Sequence, residues 1–397
     1  MSSEHGTGHD TGHSTRHGTG GTDADGAGHE AAAMRRALAL AATPGVPLSP
    51  NPRVGCVLLA DDGATVAEGF HRGAGTPHAE ADALARAGAA ARGTTAVVTL
   101  EPCNHTGRTG PCARALVEAG VRRVVYAQSD PNPVARGGAE TLRAAGLVVE
   151  AGLLEEDARA LNRVWTFAVE HGRPFVTWKL AATLDGRSAA ADGTSRWISG
   201  RASRRDVHRL RALADTVLVG TGTVAADDPA LTVRDEQDRP LQHQPLRAVM
   251  GESDLEPGRR VLDGSAETVH LRTRDPRAAL AQLAGLERRH VFLEGGPRLA
   301  AAFVRAGLVD EIVAYVAPVL LGAGASAVGD LGISTVDAAL RPVLTDVTVI
   351  EGVEGEQPDV RLTLVPAPRG SDHAKQPAEH PVDQPAATPA PIPGGTR

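Results

Sequence analysis

The residues best equipped for chemistry in this chain are His78-Ala79-Glu80, Glu101-Pro102-Cys103 and Pro111-Cys112. One imidazole and two thiolates are good zinc ligands. They leave the fourth corner of a tetrahedron to water, the layout of a catalytic site and not of a closed structural one. Glu80, two residues past the His, is the natural proton carrier beside that water. His-x-Glu followed by Pro-Cys is the pattern used for hydrolytic deamination at zinc, where activated water attacks an amino-bearing ring carbon and the Glu shuttles protons. The two Cys usually stand three apart. Here they stand nine apart, so the turn between them carries an inserted loop, residues 104–110. A structural zinc, or three unconnected buried residues, is the alternative, and neither needs Glu80.

These side chains need a scaffold. An Ala/Leu-rich helix is expected over residues 31–42, then a turn running into an apolar strand within residues 51–59. Asp61-Asp62-Gly63 signals a hairpin, with the partner strand over 65–69. His78 opens a helix expected to run to about Ala91. A strand over 96–100 leads into Glu101-Pro102-Cys103, and Pro111-Cys112 opens the next helix. Both thiols then lie near a helix start, where the dipole favours negative charge. Strands over 123–127 and 148–150 complete an alternating β/α unit, which implies a layered α/β sheet. Cys56 falls within a strand and reads as a small buried hydrophobe.

With 397 residues, the chain has material for two domains. A net charge of −7 argues against a nucleic-acid coat or a membrane-surface protein. Three Cys give no disulfide framework and fit a reducing compartment. No apolar run approaches the ~20 residues of a membrane span, and no signal peptide is evident, so a cytoplasmic protein is expected. Residues 1–30 are rich in Gly, Thr and His. His5, His9, His13 and His17 recur every four residues, but the intervening Gly and Thr favour a disordered tail. Residues 366–397, rich in Pro and Ala, are expected to be a second one.

Residues 31–172 resemble the deaminase domain of the bifunctional riboflavin-biosynthesis deaminase/reductases, often called RibD. The likeness rests on Asn51-Pro52-x-Val54-Gly55-Cys56, Gly69-Phe70-His71, His78-Ala79-Glu80 and the run from Thr99 to Thr109, long Cys-to-Cys loop included. It implies a cytidine-deaminase-like three-layer α/β fold and a pyrimidine substrate carrying a ribosylamino 5′-phosphate. By the same resemblance Asn51 and His71 would touch ribose or base, and His105 and Arg108 the phosphate, to which a guanidinium is suited.

The second unit is expected over residues 173–365. A strand over 175–180 contains Lys179, and a basic helix is expected over 201–213. Its Arg201, Arg204, Arg205, Arg209 and Arg211 form by default a solvated face, from which Arg211 is singled out as an anion contact. A strand over 215–219 runs into Gly220-Thr221-Gly222-Thr223-Val224-Ala225, which fits a dinucleotide fingerprint. Asp227-Asp228-Pro229 cuts the following helix short and no acidic residue stands where the Rossmann pattern asks, so only an anion-binding turn is retained. A strand over 290–293 gives Glu294-Gly295-Gly296-Pro297 and an amphipathic helix, whose first N–H groups can close on a phosphate.

This half is similar to the reductase domain of the same family, a dihydrofolate-reductase-like α/β fold. Matching runs include Lys179 to Gly186, Ser195-Arg196-Trp197-Ile198, Ala226 to Arg234, Glu294 to Pro297 and Leu308 to Glu311. The resemblance implies NADPH contacts at Ala182, Trp197, Thr223, Asp227, Gly296, Pro297 and Arg298. It implies substrate contacts at Ser195, Arg211, Leu231, Arg234 and Glu294, with Lys179 as a candidate catalytic cation or acid. One departure stands out: Met250-Gly251-Glu252-Ser253 replaces the family's usual Asp or Asp-Ser pair. The expectation is therefore a homo-oligomeric enzyme that binds one zinc per chain (ligands His78, Cys103 and Cys112) and NADPH. It would deaminate a pyrimidine ribosyl phosphate and then reduce its ribosyl group. Two other readings are weighed: a non-catalytic nucleotide sensor, against which Glu80 and the open zinc corner argue, and a deaminase of another nucleobase, against which the fused reductase argues.

Overall fold

A computed structural model of the chain describes residues 21–47, 49–105, 110–353 and 355–367. The stripe of His5 to His17, Arg108, and the tail beyond residue 367 lie outside the described residues. The first unit runs α1 Gly21–Ala41, β1 Gly55–Leu59, β2 Thr65–Phe70, α2 Ala79–Ala87, β3 Thr95–Leu100, α3 Cys112–Glu118, β4 Arg123–Gln128, α4 Gly138–Ala144, β5 Val148–Ala151, α5 Glu155–Leu161 and α6 Arg163–His171. Its sheet has the order β2-β1-β3-β4-β5. The β1 strand is antiparallel to β2 and β3, while β3, β4 and β5 run parallel.

Both faces of this sheet are covered, and alternation along β1 shows how. Cys56 and Leu58 face a core with Ala79, Ala83, Ala113, Leu116 and Leu142 from α2, α3 and α4. Val57 and Leu59 face the other way, onto Met34, Ala37 and Ala158 from α1 and α5. Three layers result. Cys56 has no exposed surface, as a buried small hydrophobe should.

Two local expectations need correction. The first helix begins at Gly21, not near residue 31, so ordered chain reaches into the stretch read as a tail. Part of the reason lies far away in sequence: Glu30 is paired with Arg123 on β4 at 2.8 Å, and Met34 is fully buried on the sheet. The helix after His78 is regular only to Ala87 and tightens into a 3₁₀ turn over Gly88–Ala91.

The second unit runs β6 Phe175–Thr183, α7 Arg201–Arg211, β7 Thr216–Gly220, α8 Thr221–Asp227, β8 Leu246–Met250, β9 Thr268–Leu271, α9 Pro276–Gly285, β10 His290–Leu293, α10 Pro297–Ala306, β11 Glu311–Ala317, β12 Val343–Ile350 and β13 Asp359–Val365. Its sheet has the order β12-β13-β11-β6-β10-β7-β8-β9. Six strands are parallel, and β13 and β12 add an antiparallel edge. The helices α9 and α10 pack Leu280, Leu283 and Phe303 on one face. On the other face Val207 of α7 meets Phe292 and Tyr315. Among the described residues no helix is long and apolar enough to cross a membrane.

Candidate active sites

The first site forms where β3 ends and α2 and α3 begin. His78 is the N-cap of α2, with Glu80 in the first turn, and Cys112 is the first residue of α3. Glycine permits this closeness. A Cβ at Gly69 of β2 would run into Ala79 O and Ala83 N of α2, and one at Gly138 of α4 would run into Pro102 O, next to Cys103. The loop carrying Cys103 is held by Glu101, whose buried carboxylate accepts from the backbone N–H groups of Asp130, Gly137 and Ala139 at 3.0–3.2 Å. That role was not legible in the sequence, where Glu101 reads only as part of a Glu-Pro-Cys run.

His78 Nδ1 lies 3.3 Å from Cys112 Sγ and 3.5 Å from Cys103 Sγ, and all three ligand atoms fall within 4.8 Å of one another. A tetrahedron built with ordinary Zn–N and Zn–S bonds has edges of about 3.5 Å. The donor set therefore fits zinc in both chemistry and spacing. The Cys112 backbone N–H donates to Cys103 Sγ at 3.4 Å. Hydrogen bonding from Cys112, together with His78, lowers the Cys103 thiol toward the thiolate form a metal ligand requires. Glu80 is 3 % exposed, and burial pushes its carboxyl up to about 7, with the Cys103 charge adding to the rise.

A cavity of about 380 Å³ opens on this cluster, lined by Asn51, His71, His78, Glu80, Cys103 and His105, among others. Burial holds His71 below its ordinary value, in its neutral form. Its Nδ1 lies 3.0 Å from Pro77 O and its Nε2 lies 2.9 Å from Asn51 Nδ2, so the neutral ring donates at one nitrogen and accepts at the other. Asn51 is thereby fixed in orientation. Asp130, Asn132 and Trp165 also line the cavity and carry no motif that would have identified them.

The second site gathers at the ends of β6, β7 and β10. Leu293 is in register with Trp178, so Glu294 follows beside Lys179 on the neighbouring strand. Arg211, in the last turn of α7, forks onto Glu294: Nη2 meets Oε2 at 2.9 Å, and Nε meets Oε1 as a second contact. Its Nη1 donates to Thr232 O at 3.1 Å, which ties in the segment holding the buried Leu231. Burial alone would raise the Glu294 carboxyl, yet the Arg211 guanidinium holds it below the usual range. Burial pushes the Lys179 ammonium down.

The two glycine turns are neighbours. A Cβ built at Gly296 would stand 3.8 Å from Thr223 Oγ1. The α8 helix ends at Asp227 after seven residues. Arg196 donates to Asp227 O at 2.5 Å, bringing the Ser195–Trp197 segment to the same end of the sheet, with Trp197 68 % exposed. Ala182 is buried near the end of β6. Pro297 is the first residue of α10, and Arg298 follows it, exposed. Arg234 pairs with the exposed Asp238 at 3.1 Å. Arg201 and Arg209 are exposed and paired with Glu356 and Asp206, as a solvated face predicts. At the departure, Glu252 pairs with Arg274 at 3.0 Å.

Comparison with known proteins agrees with both halves. The cytidine and deoxycytidylate deaminase zinc-binding region matches residues 28–128, and the RibD C-terminal domain matches residues 174–351. Riboflavin biosynthesis protein RibD of Mycobacterium tuberculosis is 50% identical over 317 residues, 80% of this chain and 91% of that protein. The Escherichia coli K12 RibD is 42% identical over 325 residues, 74% of this chain and 88% of that one. Among solved structures, Acinetobacter baumannii RibD superposes with a TM-score of 0.79 at 38% identity, covering 86% of this chain and 100% of its own. A diaminohydroxyphosphoribosylaminopyrimidine deaminase/5-amino-6-(5-phosphoribosylamino)uracil reductase from Thermotoga maritima gives 0.75 at 31% identity, with the same coverage. A zinc-binding deaminase unit followed by a reductase unit, matched over both halves, places this chain in the RibD family of bifunctional deaminase/reductases of riboflavin biosynthesis.

Proposed function

We propose that the first unit hydrolyses the exocyclic amine of 2,5-diamino-6-(5-phosphoribosylamino)pyrimidin-4(3H)-one. The second unit then reduces the ribosyl group of the product, 5-amino-6-(5-phosphoribosylamino)uracil, to ribityl. The observation that carries this reading is the His78, Cys103 and Cys112 donor set with buried Glu80 in the same cavity. One zinc per chain, held by those three residues, would supply a Lewis acid that lowers the pKa of water. Glu80 takes the proton from the attacking water on a carboxylate oxygen and delivers it to the departing amine. A carboxyl buried to a value near neutrality is suited to both transfers. Asn51 and His71 orient the base and ribose, and His105 and Arg108 receive the phosphate.

In the second unit NADPH would supply hydride to C1′ of the opened ribose. The Gly296 and Pro297 turn at the start of α10, with Thr223, Asp227, Ala182, Trp197 and Arg298, cradles the cofactor. Arg211, Glu294, Leu231, Ser195 and Arg234 hold the substrate. Lys179 provides a cation beside Glu294 for the phosphate or for the developing amine. The homo-oligomer expectation is supported by β12, a free edge strand on which Val343, Leu344, Val347 and Val349 are exposed. A cytoplasmic location fits a pathway enzyme with unpaired cysteines.

The test is to incubate purified, zinc-loaded protein with the diaminopyrimidine phosphate, with and without NADPH. The expected result is ammonia release in both arms and NADPH oxidation in one. No ammonia from zinc-loaded protein would contradict the reading.

A further inference from the structure

The deaminase cavity is not walled by the deaminase unit alone. Glu287 and Arg289, from the turn between α9 and β10 of the second unit, also line it. That turn is held from both sides. Ser49 Oγ of the first unit donates to Glu287 O at 3.1 Å, and the Arg289 N–H donates to Asp215 Oδ2 at 2.6 Å. The Arg289 side chain is half-buried, and its Nε is shut off from solvent without a hydrogen-bond partner. The nearby carboxylates of the cavity are otherwise engaged: Glu101 by three backbone N–H groups and Asp130 by the Asn132 N–H at 2.8 Å. His105 Nδ1, in the same cavity, is likewise buried without a partner. Among the described residues no carboxylate pairs with the Arg289 guanidinium, so this cation on the cavity wall is available to an anionic acceptor from outside the chain.

We propose that Arg289 anchors the 5′-phosphate of the deaminase substrate, making the deaminase pocket a site shared by both units. This rests on the deaminase reading above. The substrate's one strongly anionic group is its phosphate, and a guanidinium presents paired N–H groups that match phosphate oxygens in a way an ammonium does not. The metal cluster holds the base end of the cavity, and Arg289 supplies the cation at the wall contributed by the second unit. Glu287 beside it is exposed and turns its backbone carbonyl, not its carboxylate, to Ser49.

The experiment compares wild type, Arg289→Ala and Arg289→Lys in deamination of the phosphorylated substrate and of the same compound without its phosphate. Zinc content and thermal unfolding are measured alongside. Losing a charge-assisted contact is expected to raise KM of Arg289→Ala for the phosphorylated substrate by about 10–150-fold, with kcat little changed. Arg289→Lys, which keeps the charge but not the fork, should fall between, and all three proteins should converge on the unphosphorylated compound. An unchanged KM, or an equal loss on both compounds, would overturn the proposal in favour of a purely structural Arg289. Should Arg289→Ala fail to fold, the same comparison with Arg289→Lys decides the matter. Failure of zinc-loaded wild type to deaminate the phosphorylated substrate would instead overturn the deaminase reading itself.

Discussion

His78 Nδ1 stands 3.3 Å from Cys112 Sγ although 34 positions of chain separate the two residues. The contact joins the cap of one helix to the first residue of another, and both helices pack on the same face of the sheet. Replacing either thiol removes a donor that no neighbouring group replaces. Cys103→Ser and Cys112→Ser are each expected to lose the bound zinc and deamination together, read by metal content and ammonia release. A full zinc complement in an active Cys103→Ser would contradict the ligand assignment.

Gly138 gives a stability test at a distance from the ligands. Its missing Cβ makes room for Pro102 O, which neighbours Cys103. Gly138→Ala forces either α4 or the Cys103 loop outward, and overpacking of this kind costs about 1–3 kcal/mol. Denaturant unfolding should show that loss, and zinc should bind more weakly than in wild type.

The Arg211–Glu294 pair has side-chain exposures of 15% and 9%. Removing one member of a buried pair costs about 3–5 kcal/mol, because the other charge is left uncompensated. Arg211→Ala should therefore unfold more easily and slow NADPH oxidation, while deamination persists. In wild type the depressed Glu294 pKa contributes stability that is present above its unfolded value and is lost as pH falls through its folded one. In Arg211→Ala burial acts against the charge, so the stability gap to wild type is expected to be wider at about pH 7 than at about pH 5. Urea unfolding at the two pH values measures it.

Lys179 offers a kinetic counterpart. Its ammonium is lowered by burial, so the cation is lost at a pH below the ~10.4 of a free lysine. The rate of NADPH oxidation on the deaminated substrate should fall on the alkaline side with an apparent pKa below that value. Lys179→Met should lower the rate and abolish that limb; a limb unchanged in the variant would assign it to another group.

The metal donor set was legible because zinc chemistry constrains residue types at short spacings, and both helix starts that present the ligands are marked by Pro77 and Pro111. The first sheet was legible from alternating β and α patterns, whereas β9, β11, β12 and β13 of the second were not anticipated. Arg211 was singled out from four similar arginines, but its burial was not legible, since it depends on the last turn of α7 facing Glu294, 83 positions away. Glu101 and Arg289 were not legible at all. Their partners are backbone groups or a cavity assembled from distant segments, and such contacts leave no local pattern. The start of α1 was missed for a similar reason, since Glu30 finds Arg123 only once the sheet has formed.

The central claim is that two independent sites act in series, and Glu80→Gln tests it most directly. The substitution keeps the three zinc donors and removes the proton carrier, a contribution worth about 10²–10⁴-fold. The decisive measurement is ammonia release from the diaminopyrimidine phosphate set beside NADPH oxidation on the already deaminated substrate, with zinc content as control. The account predicts full zinc, deamination reduced by that factor and reduction at the wild-type rate. Near-normal deamination, or loss of reduction with zinc and fold intact, would contradict it.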